Sequence, residues 1–518
     1  MSDLPEGWVS TSLASTVALK TGPFGSSLHQ SDYVTNGIPL VNPMHIVNGR
    51  IRPSADVTVT PETVARLTDF KLKKGDLVLA RRGEMGRCAV VKDKEAGWLC
   101  GTGSLIVRPE GRLLDPEFLQ GFLSSASSVK YLLEASVGST MANLNQQHLL
   151  GMRLSLPPLS EQTRIVEKLE ELLSDLDAGV AELKAAQQKL AQYRQSLLKA
   201  AVEGSLTAEW RQQNPPTETG AQLLQRLLTE RRARWEAKQL AKFKEQGKAP
   251  PKDWQKKYPE PVQPDTSDLP ELPQGWVWAS VEQIASDEPY SLAIGPFGSN
   301  LKVPDYRESG VPLVFVRNIR SGNYGGTHTK YVTPEKAEEL SAHRVDAGDV
   351  LITKMGEPPG DADVYPDGQP SAIITADCIR VRCWAGLVRP DLLKATINSH
   401  IGRQQIEPMT QGVAQKKVSL GRFTSLAVPV PPIQEQDELI ALLGSATREI
   451  EAQEAAVGLS LKQSTAQRQN ILRAAFSGQL VPQDPADEPA SVLLERIRAE
   501  RVAPAHAPKR ARRTRVSA

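Results

Sequence analysis

GPFGSSLHQSDYVTNGIPLV, residues 22–41, returns later in the chain as GPFGSNLKVPDYRESGVPLV, residues 295–314. Across residues 21–46 against 294–319, 13 of 26 positions are identical without a gap, so the stretches are copies rather than a chance likeness. The register continues at the same spacing of 273, with Thr60-Pro61-Glu62 facing Thr333-Pro334-Glu335, Gly75-Asp76 facing Gly348-Asp349, and Gly83-Glu84 facing Gly356-Glu357. After one inserted residue, PPLSEQ from Pro157 faces PPIQEQ from Pro431, and LLKAAVEG from Leu197 faces ILRAAFSG from Ile471. A period this long is not that of a solenoid, whose units run about 20 to 50 residues. The chain is a duplicated module, and its function must explain two similar but unequal copies.

Each copy opens on a tryptophan signature, PEGWVSTSL from Pro5 and PQGWVWASV from Pro273. Short β-branched runs follow, broken by Gly, Asn and Asp, which predicts short strands. Phe118, Phe122, Ala126, Val129 and Leu133 then recur at helical spacing. The heads therefore read as α+β, each with a mixed sheet and loops at its ends. Beyond Pro158 the period changes. Ile165, Leu169, Leu172, Leu176, Gly179, Leu183, Ala186, Leu190, Tyr193 and Leu197 alternate four and three apart, the seam of a coiled coil. The second copy repeats it with Leu439, Leu443, Ala446, Ile450, Val457 and Ile471, through a more polar middle that places Gln453, Ser460, Ser464 and Gln467 on the seam. Neither stripe can be hidden alone, because amphipathic helices owe their stability mainly to packing. The expected solution is that the two rods pack on each other, antiparallel, with the halves related by a pseudo-two-fold axis.

The expected architecture is thus two similar, β-rich mixed α/β domains separated by two long antiparallel coiled-coil helices. Its expected order is a first head at 1–158, a long helix at 159–206, a charged helix and Pro-rich linker at 207–271, a second head at 272–432, a second long helix at 433–478, and a C-terminal segment at 479–518. LLQRLLTER from Leu223 in the linker is echoed by LLERIRAER from Leu493, and KRARRTR, residues 509–515, forms a basic tail.

Among 518 residues, 62 Lys and Arg oppose 60 Asp and Glu, a formal charge of +2, so any hold on a polyanion must come from local patches. The four cysteines sit at non-matching positions in the two copies, against both a disulfide framework and a zinc site. The opening residues carry no basic and apolar leader, and no run approaches the ~20 apolar residues of a membrane helix. The expectation is a cytoplasmic protein without membrane association.

Catalytic motifs are missing. There is no phosphate loop and no H-E-x-x-H, and no histidine recurs in register between the copies. Asn214-Pro215-Pro216-Thr217 resembles the NPP[YF] motif of amino-group methyltransferases, but Thr217 replaces the aromatic residue and no glycine-rich cofactor loop precedes it. It reads as linker. The recurring Asp76 and Asp349 read as turn residues bonded to nearby backbone. Binding features are richer. GPFGS offers close backbone approach and a serine donor in each copy, at Ser26 and Ser299. Arg81, Arg82 and Lys354 stand where an apolar strand gives way to a loop, a position suited to phosphate or guanine. The polar stretches GSTMANLNQQ from Gly138 and QGVAQKKVS from Gln411 carry Asn143, Asn145 and Gln146, and Gln415, Lys416 and Lys417, groups able to read base edges. The heads differ at Asn42-Pro43-Met44-His45 against Phe315-Val316-Arg317-Asn318, which adds Asn42, His45, Arg317 and Asn318 as candidates. A plain strand connection, a solvated charge and a polar loop are the alternative readings at these sites.

Taken together, the GW opening, the GPFGS turn, the Gly-Asp strand entry with its following Gly-Glu turn, PP-x-x-EQ, and L-[KR]-A-A-x-x-G, all present twice, closely resemble the specificity subunit of bacterial type I restriction-modification systems. The likeness runs from Leu4 to about Arg501. It implies that each head is a target recognition domain reading one half of a split, asymmetric duplex DNA target. It implies further that the paired helices, with Ile165, Leu169, Leu172, Leu176, Leu183, Leu190, Leu197, Leu439, Leu443, Ile450, Val457 and Ile471 on their seam, act as spacer and docking surface for two modification subunits, with restriction subunits joining them. On this resemblance the chain holds no cofactor, metal or catalytic residue. S-adenosylmethionine, ATP and Mg2+ belong to the partner subunits, which methylate adenine or cut. The rival readings are a DNA methyltransferase or nuclease in its own right, and a coiled-coil scaffold joining two protein-binding domains.

Overall fold

The computed structural model describes residues 4–23, 27–111, 113–135, 144–412 and 416–502. The chain divides into two units, Met1–Lys184 with Gly458–Ala518, and Ala185–Val457. They repeat one plan. In the first unit a four-stranded antiparallel sheet has the order Val17–Thr21, Ser104–Pro109, Leu77–Ala80, Cys88–Val90. In the second the same sheet runs Leu292–Ile294, Cys378–Val381, Val350–Thr353, Ala362–Val364. Leu77–Ala80 and Val350–Thr353 are buried along their whole length, which is why they are continuous apolar runs and not alternating ones. A second sheet pairs Ile38–Val41 parallel to Leu99–Cys100, and Val311–Val314 parallel to Ala372–Ile374. These parallel pairs make the sheets mixed, as the alternation of short runs and helices suggested.

The repeated motifs are structural devices. The Thr60 and Thr333 hydroxyls cap the helices Pro61–Arg66 and Pro334–Glu339, each with Pro at the first position. Gly75 and Gly348 adopt φ of 84° and 85°, turning the chain into the buried strand. Asp76 accepts from the Lys73 N–H at 2.7 Å and Asp349 from the Asp346 N–H at 2.9 Å, the local bonds expected of turn residues. Their role is larger than that of a turn. Asp76 also holds Arg108 through two bonds of 2.6 Å, and Asp349 holds Arg382 through two of 2.8 Å, so one buried ion pair recurs in both copies.

The two long helices, Leu159–Val202 and Ile433–Phe476, have 44 residues each, ~66 Å at ~1.5 Å per residue. In the first unit Asp177 pairs with Arg468, while Arg164, earlier in its helix, pairs with Asp487, later in the chain. In the second unit Arg194 reaches Glu454 at 2.9 Å, and Arg211, further on, meets Glu435, nearer the start of its helix. Within each unit the helices therefore run antiparallel. Their apolar ends enter the cores: Ile165 and Leu169 in the first unit, where Phe476 lies edge-on to Phe118 at 5.4 Å, and Leu197, Leu439, Leu443 and Ile450 in the second. Between these ends Leu172, Leu176, Leu183, Leu190, Val457 and Ile471 are half-buried.

The seam itself needs correction. Tyr193 is 56% exposed, Gln453 and Gln467 are exposed, and their neighbours Arg194, Glu454 and Arg468 turn inward instead. A helix of ~3.6 residues per turn drifts off a strict 3.5-residue pattern, so the facing position slips by one residue over several heptads.

The 207–271 segment is more than a linker. The helix Gly220–Glu245 buries Leu223, Leu224 and Leu227 in the second unit's core. Trp235 stacks on Trp254 at 5.8 Å and meets Tyr258 edge-on at 5.4 Å, tying the returning chain to that helix.

All four cysteines are free, with Cys88, Cys100 and Cys378 buried and Cys383 half-buried. Burial pushes the Cys88, Cys378 and Cys383 thiols up to about 12, and the thiolate is the reactive form. A thiol-specific chromogenic reagent at pH 8 is expected to react with less than one thiol per native chain and with all four on denaturation. Among the described residues no helix is long and apolar enough to cross a membrane.

Candidate nucleic-acid interface

The carboxyl ends of the central strands bring three loops together in each unit. In the first, the Gly22 N–H donates to the Ser104 carbonyl at 2.9 Å, the Arg81 N–H to Gly103 at 2.9 Å, and the Leu144 N–H to Arg81 at 3.0 Å. In the second, the Gly295 N–H donates to Cys378 at 3.1 Å, the Lys354 N–H to Asp377 at 2.7 Å, and the Val418 N–H to Lys354 at 3.0 Å. Thus the glycine that opens GPFGS, the residue that follows the buried strand, and the residue that ends the run-in to the last short helix meet at one end of each sheet. Close approach explains the glycine that opens GPFGS: a Cβ on Gly22 would stand 2.0 Å from the Gly101 carbonyl oxygen, and one on Gly295 2.0 Å from that of Thr375.

Onto this frame the candidate residues fall unevenly. Ser26, Asn143 and Gln415 lie outside the described residues. Arg82, Arg317, Lys416, Lys417 and Ser299 are exposed, and Arg81 and Lys354 are half-buried beside them. Lys354 Nζ donates to the Ala376 carbonyl at 3.3 Å and stands 5.3 Å from the centre of the Phe297 ring, which is itself 65% exposed. An exposed aromatic carrying a cation offers both a stacking face and a phosphate partner. Phe297 lay in the GPFGS motif from the start, but only its exposure distinguishes it from a core phenylalanine.

Other candidates spend polar atoms on holding the loops, Asn145 while still exposed. His45 is 4% exposed, accepts the Asn42 N–H on Nδ1 at 3.2 Å, and burial lowers its pKa below the usual histidine value. Asn318 does the same work in the second copy, its Oδ1 accepting the Phe315 N–H at 2.9 Å and its Nδ2 donating to Asn323 at 2.8 Å. Asn145 caps the helix Gln146–Gly151 by accepting the Gln147 N–H at 3.0 Å, and Gln146 Nε2 donates to Thr21 Oγ1 at 2.5 Å. Asn42 packs its amide against Gly101. Short polar side chains satisfy nearby backbone wherever they can, and composition alone does not separate that role from base reading.

The entry to each long helix is a second buried polar site. The Trp8 indole N–H donates to Glu161 at 3.0 Å and that of Trp276 to Glu435 at 2.8 Å. Gln162 and Gln436 each donate to two backbone carbonyls, those of Leu113 and Pro157 and of Leu387 and Pro431. GW and EQ, far apart in sequence, form one lock between head and helix in each unit.

Residues 5–185 match the family described as type I restriction modification DNA specificity domain. The type I restriction enzyme EcoKI specificity subunit of Escherichia coli (strain K12) is 23% identical, over 96% of this chain and 97% of that protein. The StySPI specificity subunit of Salmonella potsdam is 21% identical, over 96% of each. The EcoDI specificity subunit of Escherichia coli is 24% identical over 85% of this chain and 88% of its own length. A solved chain from work on complex assembly and conformational transition of the type I R-M system shares the fold, with a TM-score of 0.63 and 18% identity, over 92% of this chain and 100% of that one.

Proposed function

We propose, for a chain that is a homologue of type I restriction enzyme specificity subunits and carries their DNA specificity domain at residues 5–185, that it reads the DNA target of such a system. Its two unequal heads recognise the two halves of an asymmetric duplex sequence. The observation that carries this is the repetition of one loop-bearing sheet end in both units with different outward side chains: Met44 and Arg82 in the first, Arg317 and Lys417 in the second. A shared frame with divergent tips is what two different half-sites require. Two modest half-site affinities in one chain combine through effective concentration into a tight interaction.

In this reading the chain recognises and its partners react. Two modification subunits and the restriction subunits dock on it and supply S-adenosylmethionine, ATP and Mg2+. The reading is supported by the absence from the sequence of any constellation of nucleophile, base and orienter.

The test is to reconstitute the chain with its modification subunits and map methylated adenines on genomic DNA. One two-part, non-palindromic sequence is the expected result, and methyl transfer by the chain alone would overturn the reading. Replacing Arg81, Lys354 and Lys417 by alanine is expected to weaken duplex binding and lower the slope of log K against log salt by ~0.9 for each phosphate no longer neutralised. A scaffold would show no such slope.

A further inference from the structure

The turn after Ile38–Val41 and Val311–Val314 has four corresponding positions, and the structure gives three of them work inside the protein. At 42 and 315, Asn42 packs on Gly101 and Phe315 meets Tyr306 edge-on at 5.9 Å. At 43 and 316, Pro43 lies against Gly103, where an added Cβ would be 3.0 Å away, and Val316 packs against the core around Val314 and Ile319. At 45 and 318, His45 and Asn318 close the turn by accepting the backbone N–H three residues back.

The remaining position turns outward in both copies. Met44 is 69% exposed, and Arg317 is exposed. Arg317 is also preset. Its guanidinium lies 4.3 Å from the centre of the Phe315 ring while one Nη donates to the His328 carbonyl at 3.1 Å. Among the described residues no carboxylate pairs with it. A fork fixed on one face and at one corner loses little entropy on engaging a planar pair of acceptors, and in the major groove that pair is guanine O6 and N7. Met44 has no donor to offer. In the same groove the apolar feature it can meet is the C5-methyl group of thymine. Both residues sit on the sheet end where the other loops gather, since the Gly101 N–H donates to Val41 at 2.8 Å and the Thr375 N–H to Val314 at 3.0 Å.

We propose that position 44/317 is the specificity-determining position of this turn, with Arg317 reading a guanine in one half-site and Met44 packing on a thymine methyl in the other. The proposal rests on the DNA-reading function above and deepens it.

The experiment selects bound sequences from a randomised duplex library with the complex of full chain and modification subunits, comparing R317A, R317K and M44R with the unaltered protein. R317A is expected to relax one guanine in one half-site, with discrimination falling roughly 5- to 150-fold, while the other half-site stays fixed. R317K, which keeps the charge and loses the fork, is expected to relax the same guanine at an unchanged salt slope, so a folding defect is not mistaken for lost readout. M44R is expected to change one thymine of the other half-site to guanine. Replacing that thymine by deoxyuridine is expected to weaken binding to the unaltered chain. Arg317 variants that keep every base preference, or that lose affinity evenly over all sequences as a phosphate contact would, overturn the proposal while leaving DNA reading intact. An unaltered complex that selects no defined sequence overturns both.

Discussion

Glu435→Ala is expected to destabilise the second unit by about 3–5 kcal/mol, the cost of leaving one partner of a buried ion pair behind. The Glu435 side chain is 2% exposed and accepts from the Trp276 indole at 2.8 Å, the Thr207 hydroxyl at 2.7 Å and Arg211 Nε at 2.8 Å. Alanine strands all three donors, one of them charged, at the point where the second head joins its long helix. Denaturation of the full chain followed by tryptophan fluorescence should show the transition that includes Trp276 moving to lower denaturant while the other stays in place. A single transition shifted by less than about 1 kcal/mol would mean that the lock is not structural. Among the described residues the equivalent Glu161 has no cation in hydrogen-bond contact and accepts from Trp8 and Gln483, and burial raises its carboxyl above the usual glutamate range. The sign of its linkage follows. The folded state holds the proton more tightly than the unfolded one, so the first unit loses stability as pH rises from the ordinary glutamate pKa through the raised one. Glu161→Gln should flatten that slope.

Gly295→Ala should cut affinity for the complete two-part target by about a hundredfold or more, because losing one head removes the effective-concentration gain of ~10²–10⁴. Its Cβ would meet the Thr375 carbonyl oxygen at 2.0 Å and carbon at 2.1 Å, and backbone in a strand-end turn cannot step aside as a side chain can. Relief requires the GPFGS loop to lift from its neighbours, carrying Phe297 away from Lys354. Gly325→Ala, with nothing within 4 Å of its added Cβ, is the matched control and should bind normally. Equal binding by both variants in a titration of labelled duplex would separate the loop cluster from recognition.

Much of this molecule is legible in its residues. The duplication, the mixed α/β heads, and two long helices needing each other's apolar stripes follow from repeat spacing and periodicity, because burial imposes those periods directly on sequence. The basic residues Arg82 and Lys417, singled out from the sequence, are exposed, and Lys354 is half-buried. What tertiary structure alone decided is direction. His45 and Asn318 close turns, His45 from a buried position, Asn145 caps a helix, and Met44, which carries no polar group to attract notice, faces outward. The slip from Tyr193 to Arg194 has the same origin: the facing residue depends on phase accumulated over many turns. A polar side chain bonds whichever backbone group the fold brings within 3 Å or so, and although that group is near in sequence for His45 and Asn318, the turn that presents it is set by the strands of Gly101 and Thr375, which bond Val41 and Val314 from elsewhere in the chain.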